Sequence, residues 1–297
     1  MHSNSGIFFV LGAALLWGTT GTAQAFAPAG FEPTVIGFLR LLIGGLALLL
    51  LACGRREIGR LSQWQMRPLL VAALFTAGYQ ICFFAAVKLT GVAVGTIVGI
   101  GSAPIAGGLL GFLFRGERPR RRWWCATLLA ISGCGLLSLG GEALAVDPLG
   151  ILLAIAAGTS YAIYTLVIKG LLEKHSPNAV MALVTCAGAL LLAPLLIGRD
   201  VAWLAQPRAI LVALHLGLLT MALSYWLFAR GLQRVEVGAA TTLSLAEPMT
   251  AGLLGILLLG EPLTAQALTG IALIFGGLSL LVLPVGAVMR RLVRSHP

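Results

Sequence analysis

Charge is what this sequence has least of. Only 10% of its 297 residues are Asp, Glu, Lys or Arg, against 59% that are Ala, Val, Ile, Leu, Met, Phe, Trp, Tyr or Cys, and the mean hydropathy is +0.98. A water-soluble domain carries about 25% charged residues, so this composition cannot cover an aqueous surface, and an ordinary soluble enzyme is excluded. The high apolar content and the lack of a short period through the 38 glycines exclude a disordered or fibrous chain. Five cysteines at irregular spacing give neither a disulfide framework nor a metal-ligand pattern. The sequence lacks a serine-nucleophile motif with a partnering histidine, paired aspartates within an apolar run, and a His-Glu-x-x-His zinc motif. We therefore expect no enzyme activity, no cofactor and no metal.

Long apolar runs take the place of the missing charge. A helix needs about 20 apolar residues to cross a hydrocarbon core about 30 Å thick. Ten such runs occur, at 6–26, 34–53, 68–87, 91–113, 123–140, 148–168, 178–197, 209–229, 237–259 and 264–288. The longest connection, 54–67, is too short to fold as a separate domain, so function must sit among the helices. A transmembrane β-barrel would show strands of alternating polarity, and runs such as 41–52 do not alternate. The expected fold is all-α and integral to the membrane.

Basic residues test the count, because Lys and Arg stay on the cytoplasmic side of short loops. With the N-terminus inside, inner segments hold sixteen, including Arg55, Arg56, Arg60 and Arg67, then Arg115, Arg118, Arg120, Arg121 and Arg122. Outer loops hold three: Lys88, Arg199 and Arg208. One missed span would exchange the sides of everything downstream, so both termini are expected in the cytoplasm. The net charge of +10 thus reflects topology and contact with the lipid bilayer, and nucleic acid is not an expected partner. The dense run 118–122 followed by Trp123 and Trp124 fits an interfacial anchor. No Lys or Arg precedes the first apolar run as a signal peptide requires, so span 1 is expected to be retained.

Shifted by 144 positions, the sequence matches itself without a gap. Pro104 falls on Pro248, Gly108-Leu109-Leu110-Gly111 on Gly252-Leu253-Leu254-Gly255, and Gly116-Glu117 on Gly260-Glu261. Two five-span units follow, 1–141 and 148–297. Because five is odd, tandem copies enter the membrane in opposite directions, which is the inverted-repeat arrangement of many secondary transporters. Substrate in such proteins binds between the copies near the midplane, and access alternates between the two sides. Channel and scaffold roles remain the alternatives, since architecture alone does not fix function.

Trp17-Gly18 in span 1, Arg40 in span 2, Pro104 and Glu247-Pro248 in spans 4 and 9, and the Gly-Glu pairs at 116 and 260 together resemble the EamA-type drug/metabolite transporters. The resemblance covers nearly the whole chain. It implies efflux of small metabolites, often amino acids, from the bacterial inner membrane by alternating access; among its branches the chain is similar to the aromatic amino acid exporters. Other metabolites or cationic drugs are the alternative cargo. The sequence after the first Gly-Glu, Arg118-Pro119, departs from Pro262-Leu263-Thr264 after the second.

Helical spacing selects candidates for the solute site. Trp17, Thr20 and Gln24 recur at i, i+3 and i+7 on one face of span 1, and the 144-shifted positions of the first two are Tyr161 and Tyr164. Span 3 offers Thr76, Tyr79 and Gln80, and span 9 offers Thr241, Ser244 and Pro248 on a single stripe. Polar groups orient a small solute and aromatic faces give apolar or cation-π contact; interhelical hydrogen bonding and ordinary packing are the competing roles. Glu247, an acid at mid-span, is a candidate for proton coupling or for holding a substrate ammonium, against a purely structural role beside Pro248. Arg40 has a stem long enough to reach the interface, with carboxylate recognition as the alternative. His215 reads as a packing histidine or a proton relay. Pro104 and Pro248 are candidate hinges, and Glu117 and Glu261 candidate caps or loop ion-pair partners.

Overall fold

A computed structural model describes residues 4–138, 147–260 and 263–282. Glu261 and the expected end of span 10 lie outside the described residues. Helices run α1 (Asn4–Ala25), α2 (Pro33–Gly54), α3 (Met66–Arg115), α4 (Arg121–Ser138), α5 (Pro148–Leu171), α6 (Pro177–Leu192), α7 (Pro207–Leu214), α8 (Ser224–Leu232), α9 (Val237–Leu243), α10 (Ala246–Leu259) and α11 (Ala265–Val282), with a π-helical stretch, His215–Leu223, joining α7 to α8. Nine stretches among the described residues are long and apolar enough to span a membrane. With α4, which begins Arg121-Arg122, they make up the ten expected spans.

Local chemistry sets the helix ends. Proline at the first position starts α2, α5, α6 and α7, where a missing N–H costs nothing. Asp147 and Ser176 cap α5 and α6 by accepting from the Gly150 and Ala179 amides at 3.0 and 3.2 Å. Both Gly-Glu repeats end a helix on a left-handed glycine, Gly116 at φ 65° and Gly260 at φ 72°. After Gly116 the amides of Gly116 and Glu117 bond back to the Phe112 and Gly111 carbonyls, the first of these being the bond of an αL cap.

Two spans differ in detail from the sequence reading. The backbone is helical throughout α3, across both spans expected at 68–87 and 91–113. The Phe83 ring nevertheless lies 3.4 Å from where a Gly99 Cβ would stand. Sixteen residues of straight helix would separate them by about 24 Å, so α3 doubles back and its two arms are the two spans. Span 9 is broken into α9 and α10 at Ser244-Leu245. Pro248 has no N–H to offer the Ser244 carbonyl four residues earlier, and that carbonyl takes the Glu247 amide instead at 2.9 Å. Pro104, its repeat counterpart, sits inside unbroken helix.

Helix pairing exchanges partners between the repeats. The second-half α5 packs chiefly on α3, and α1 packs on α8 and α10, while α2 faces α6 and α4 faces α11. A pseudo-twofold relation requires this pattern: span 6 on spans 3 and 4 mirrors span 1 on spans 8 and 9. Close approach depends on glycine. A Cβ on Gly133 would meet the Gly270 carbonyl at 2.5 Å, and one on Gly18 would meet the Glu247 carbonyl at 2.8 Å. Small residues give helices within lipid the contact area that a hydrophobic driving force cannot supply there.

Candidate functional site

Helices α1, α2, both arms of α3, α5, α8, α9 and α10 surround a cavity of about 440 Å³. That volume suits a small solute, since ligand pockets run from about 300 to 1,000 Å³. All eleven candidate side chains drawn from the sequence line it, Trp17, Thr20, Gln24, Thr76, Tyr79, Gln80, Tyr161, Tyr164, Thr241, Ser244 and Glu247, whereas Pro248, on the same stripe as Thr241 and Ser244, does not. Arg40, Tyr225, Phe75 and Phe83 complete much of the wall. Tyr225 carries a compositional signal: the chain has four tyrosines, and all four face this cavity.

Rings form the floor. Trp17 meets Tyr225 and Phe228 with centroids 5.3 Å apart, Tyr161 lies 6.4 Å from Trp17 and 6.1 Å from Tyr79, and Tyr164 lies 6.2 Å from Tyr225. Trp17 and Tyr164 are themselves 6% and 2% exposed, so they support the surface more than they present it. Offset and edge contacts of this kind fix ring positions and keep the pocket shape without a ligand. The break before Glu247 turns Ser244 toward Tyr161, whose hydroxyls lie 2.8 Å apart.

Among the described residues, Arg40 and Glu247 are the only basic and acidic side chains on the lining. They are not ion-paired with each other, and among the described residues neither side chain has a hydrogen-bond or salt-bridge partner. Arg40 thus turns into the bundle, where sequence position alone allows it to reach the interface. His215 lies outside the lining and bonds Thr19 at 2.9 Å. The Thr19 hydroxyl also lies 2.7 Å from the Leu16 carbonyl, to which it can donate.

The lining lies in the halves of α1 and α2 remote from the face where α1 begins. Toward that face the two repeats are latched together. Glu117 accepts from Lys169 Nζ at 3.0 Å and from the Val237 amide at 2.8 Å, capping α9 of the other repeat; Arg115 pairs with Glu173. Gly111 leaves room for the Glu117 carboxylate, which accounts for the glycine six residues before it. The Arg115 guanidinium holds the Glu173 carboxyl below the usual carboxylate range. Nearby, His175 stacks on Trp64 at 3.9 Å, and burial lowers its affinity for a proton. Backbones also close in: a Cβ on Gly231 would stand 2.8 Å from the Gly6 carbonyl, and one on Gly238 2.9 Å from the Gly108 Cα.

The chain is 46% identical over 278 residues to YwfM, an uncharacterized transporter of Bacillus subtilis (strain 168), covering 94% of each chain. It is 30% identical over 261 residues to the threonine/homoserine exporter RhtA of Escherichia coli (strain K12), covering 87% of this chain and 84% of that one. A crystal structure 23% identical in sequence shares the fold, with a TM-score of 0.82 over 97% of this chain and 98% of its own. The model of the EamA-like transporter family matches twice, at residues 4–139 and 148–283. The chain is a multi-pass membrane protein, and it belongs to the EamA-like transporter family.

Proposed function

We propose that this transporter exports small metabolites, amino acids first among them, from the cytoplasm across the bacterial inner membrane by alternating access. The observation that carries the reading is the cavity between the repeat copies, walled by four tyrosines, hydroxyls and amides, with an ion pair joining the copies toward one face. The relative RhtA, named as a threonine/homoserine exporter, supports amino acids as cargo. The basic residues favour the latched face as cytoplasmic. In this reading the units 1–141 and 148–297 form the two repeats, the eleven candidate residues touch substrate, and spans 4 and 9 bend about Pro104 and Pro248. Glu247 is the proton-coupling candidate.

Purified protein in liposomes preloaded with a panel of labelled amino acids tests this. Saturable efflux that unlabelled substrate accelerates from the far side means a carrier; unsaturable conductance or no flux refutes the proposal. Glu247→Gln protein that still drives accumulation at the wild-type rate removes Glu247 as the coupling group.

A further inference from the structure

The cavity holds one basic and one acidic side chain on different helices, Arg40 on α2 and Glu247 on α10, and leaves each without a hydrogen-bond or salt-bridge partner among the described residues. Unpaired charge in a mostly apolar bundle is unfavourable unless water or a ligand compensates it. A solute with a single positive charge meets attraction at Glu247 and repulsion at Arg40; a single negative charge meets the reverse. Only a solute with both charges, spaced across the gap, is stabilised at both ends.

Hydroxyls on the same lining sharpen this polarity. Three of them have their one proton taken by the backbone. Thr241 donates to the Gly238 carbonyl at 3.0 Å, Ser244 to the Ala240 carbonyl at 3.0 Å, and Thr76 to the Ala72 carbonyl at 2.7 Å. With the Ser244 proton so committed, the Tyr161 hydroxyl must be the donor in the 2.8 Å contact between them. All four oxygens therefore have only lone pairs left to offer. Like a carboxylate, they offer acceptors to the cavity and suit an ammonium. The guanidinium of Arg40 has donors alone and can grip a carboxylate by two parallel bonds.

We propose that Arg40 and Glu247 are the two poles of a receptor for the zwitterionic head of an α-amino acid. Arg40 holds the carboxylate; Glu247 with Thr241, Ser244 and Tyr161 holds the ammonium; the side chain lies against the tyrosine and phenylalanine rings. This assignment rests on the export reading above and makes Arg40 a specificity-determining residue.

The test uses liposomes containing the full chain. Three probes are compared: the amino acid carried fastest in the panel, its decarboxylated amine and its deaminated acid. For phenylalanine these are phenylalanine, phenethylamine and 3-phenylpropionate. Wild-type protein is expected to prefer the amino acid over each analogue by at least about tenfold in kcat/KM, because each analogue leaves one pole bare. Arg40→Gln should lower amino-acid flux and reduce the preference over the amine to a few-fold or less, with the preference over the acid less affected. Glu247→Gln should do the converse. Where Arg40→Gln does not fold, Arg40→Lys keeps the charge without the fork and should raise KM, and wild-type competition by the three probes gives the same discrimination without a variant. If no amino acid moves, the export reading fails and this assignment with it. If amino acids move but the amine or the acid competes equally with them, or a folded Arg40→Gln keeps wild-type discrimination, only this assignment is overturned.

Discussion

The contact between Glu117 and Lys169 joins the two repeats at the latched face, and both side chains are 12% exposed. At its separation of 3.0 Å, two unit charges in an effective dielectric of about 20 attract by about 5.5 kcal/mol. Withdrawing both from water offsets more than half of that, leaving a coupling of about 2 kcal/mol. A double-mutant cycle of Glu117→Gln and Lys169→Met, read from unfolding midpoints in mixed micelles, measures it. Glu117→Ala should cost about 1 kcal/mol or more beyond Glu117→Gln, because only alanine strips the acceptor from the Val237 amide. In an alternating-access cycle this seam must part, so losing the pair favours opening there by about 30-fold, the equivalent of about 2 kcal/mol. A cysteine at Ala239, 4% exposed beside Glu117, should then label correspondingly faster in a protein stripped of its native cysteines. A coupling under about 0.3 kcal/mol, as expected of independent sites, would refute the latch.

Gly18→Ala places a methyl 2.8 Å from the Glu247 carbonyl and 2.5 Å from the Thr250 Cβ. Overpacking there should cost about 1–3 kcal/mol and lower transport, while Gly276→Ala, inside α11 with nothing within 4 Å, should leave transport unchanged and stability no lower; equal behaviour of the two variants counts against the close α1–α10 contact. Arg115 depresses the Glu173 carboxyl below 4.5, so the pair's contribution is fully present above that pH and is lost as the pH falls through the lower, folded-state value. The stability gap between wild type and Glu173→Gln should accordingly shrink on acidification below about pH 4.5, and a gap indifferent to pH contradicts the pairing. Pro248→Ala returns an N–H to the Ser244 carbonyl and should stabilise span 9 by up to about 3 kcal/mol while slowing flux several-fold; unchanged flux in a stabilised protein would mean that the break is not used.

Periodicity made the spans and the site legible in unequal measure. Apolar length and the distribution of basic residues define ten crossings because the bilayer imposes both. The stripes Trp17-Thr20-Gln24 and Thr241-Ser244 face the cavity because a polar face on a membrane helix has nowhere else to turn. Arg40 is ambiguous for the opposite reason: a single long basic side chain near a helix end can reach either water or the interior, and α2 gives no second polar residue on its face to decide. Tyr225 has no spacing partner either, and only the convergence of all four tyrosines marks it. Interlocking of the repeats was beyond reach, since pairing between distant helices rests on glycine contacts such as Gly133 with Gly270, and glycine spacing names a close approach without naming its partner. Glu117 shows the same limit. It caps a helix, but of the other repeat, α9, and not the α4 that follows it.

The two copies of the repeat differ where their closing contacts lie, and the difference is testable. The offset of 144 carries Glu117 to Glu261, but it carries Arg115 to Leu259 and relates Lys169 and Glu173 to Ala25 and Ala29. Inverted symmetry makes closure at the far face the counterpart of the latch, so that closure has the acid and lacks every cation. The far-closed state is then the weaker of the two, which agrees with the latched arrangement of this structure. Ala25→Lys should redress the balance. Ala25 ends α1 and is exposed, so a lysine there meets no packing obstacle. A partly exposed pair adds about 1 kcal/mol, or about a fivefold shift toward far-side closure. In a background free of native cysteines, a cysteine replacing Gln24 in the cavity should label about fivefold more slowly once Ala25→Lys is added. Glu261→Gln in the same protein should restore the rate, since it removes the only acid that the repeat assigns to that lysine. A labelling rate that Ala25→Lys leaves unchanged, or slowing that survives Glu261→Gln, would show that the closing contacts of the two faces are not related by the repeat.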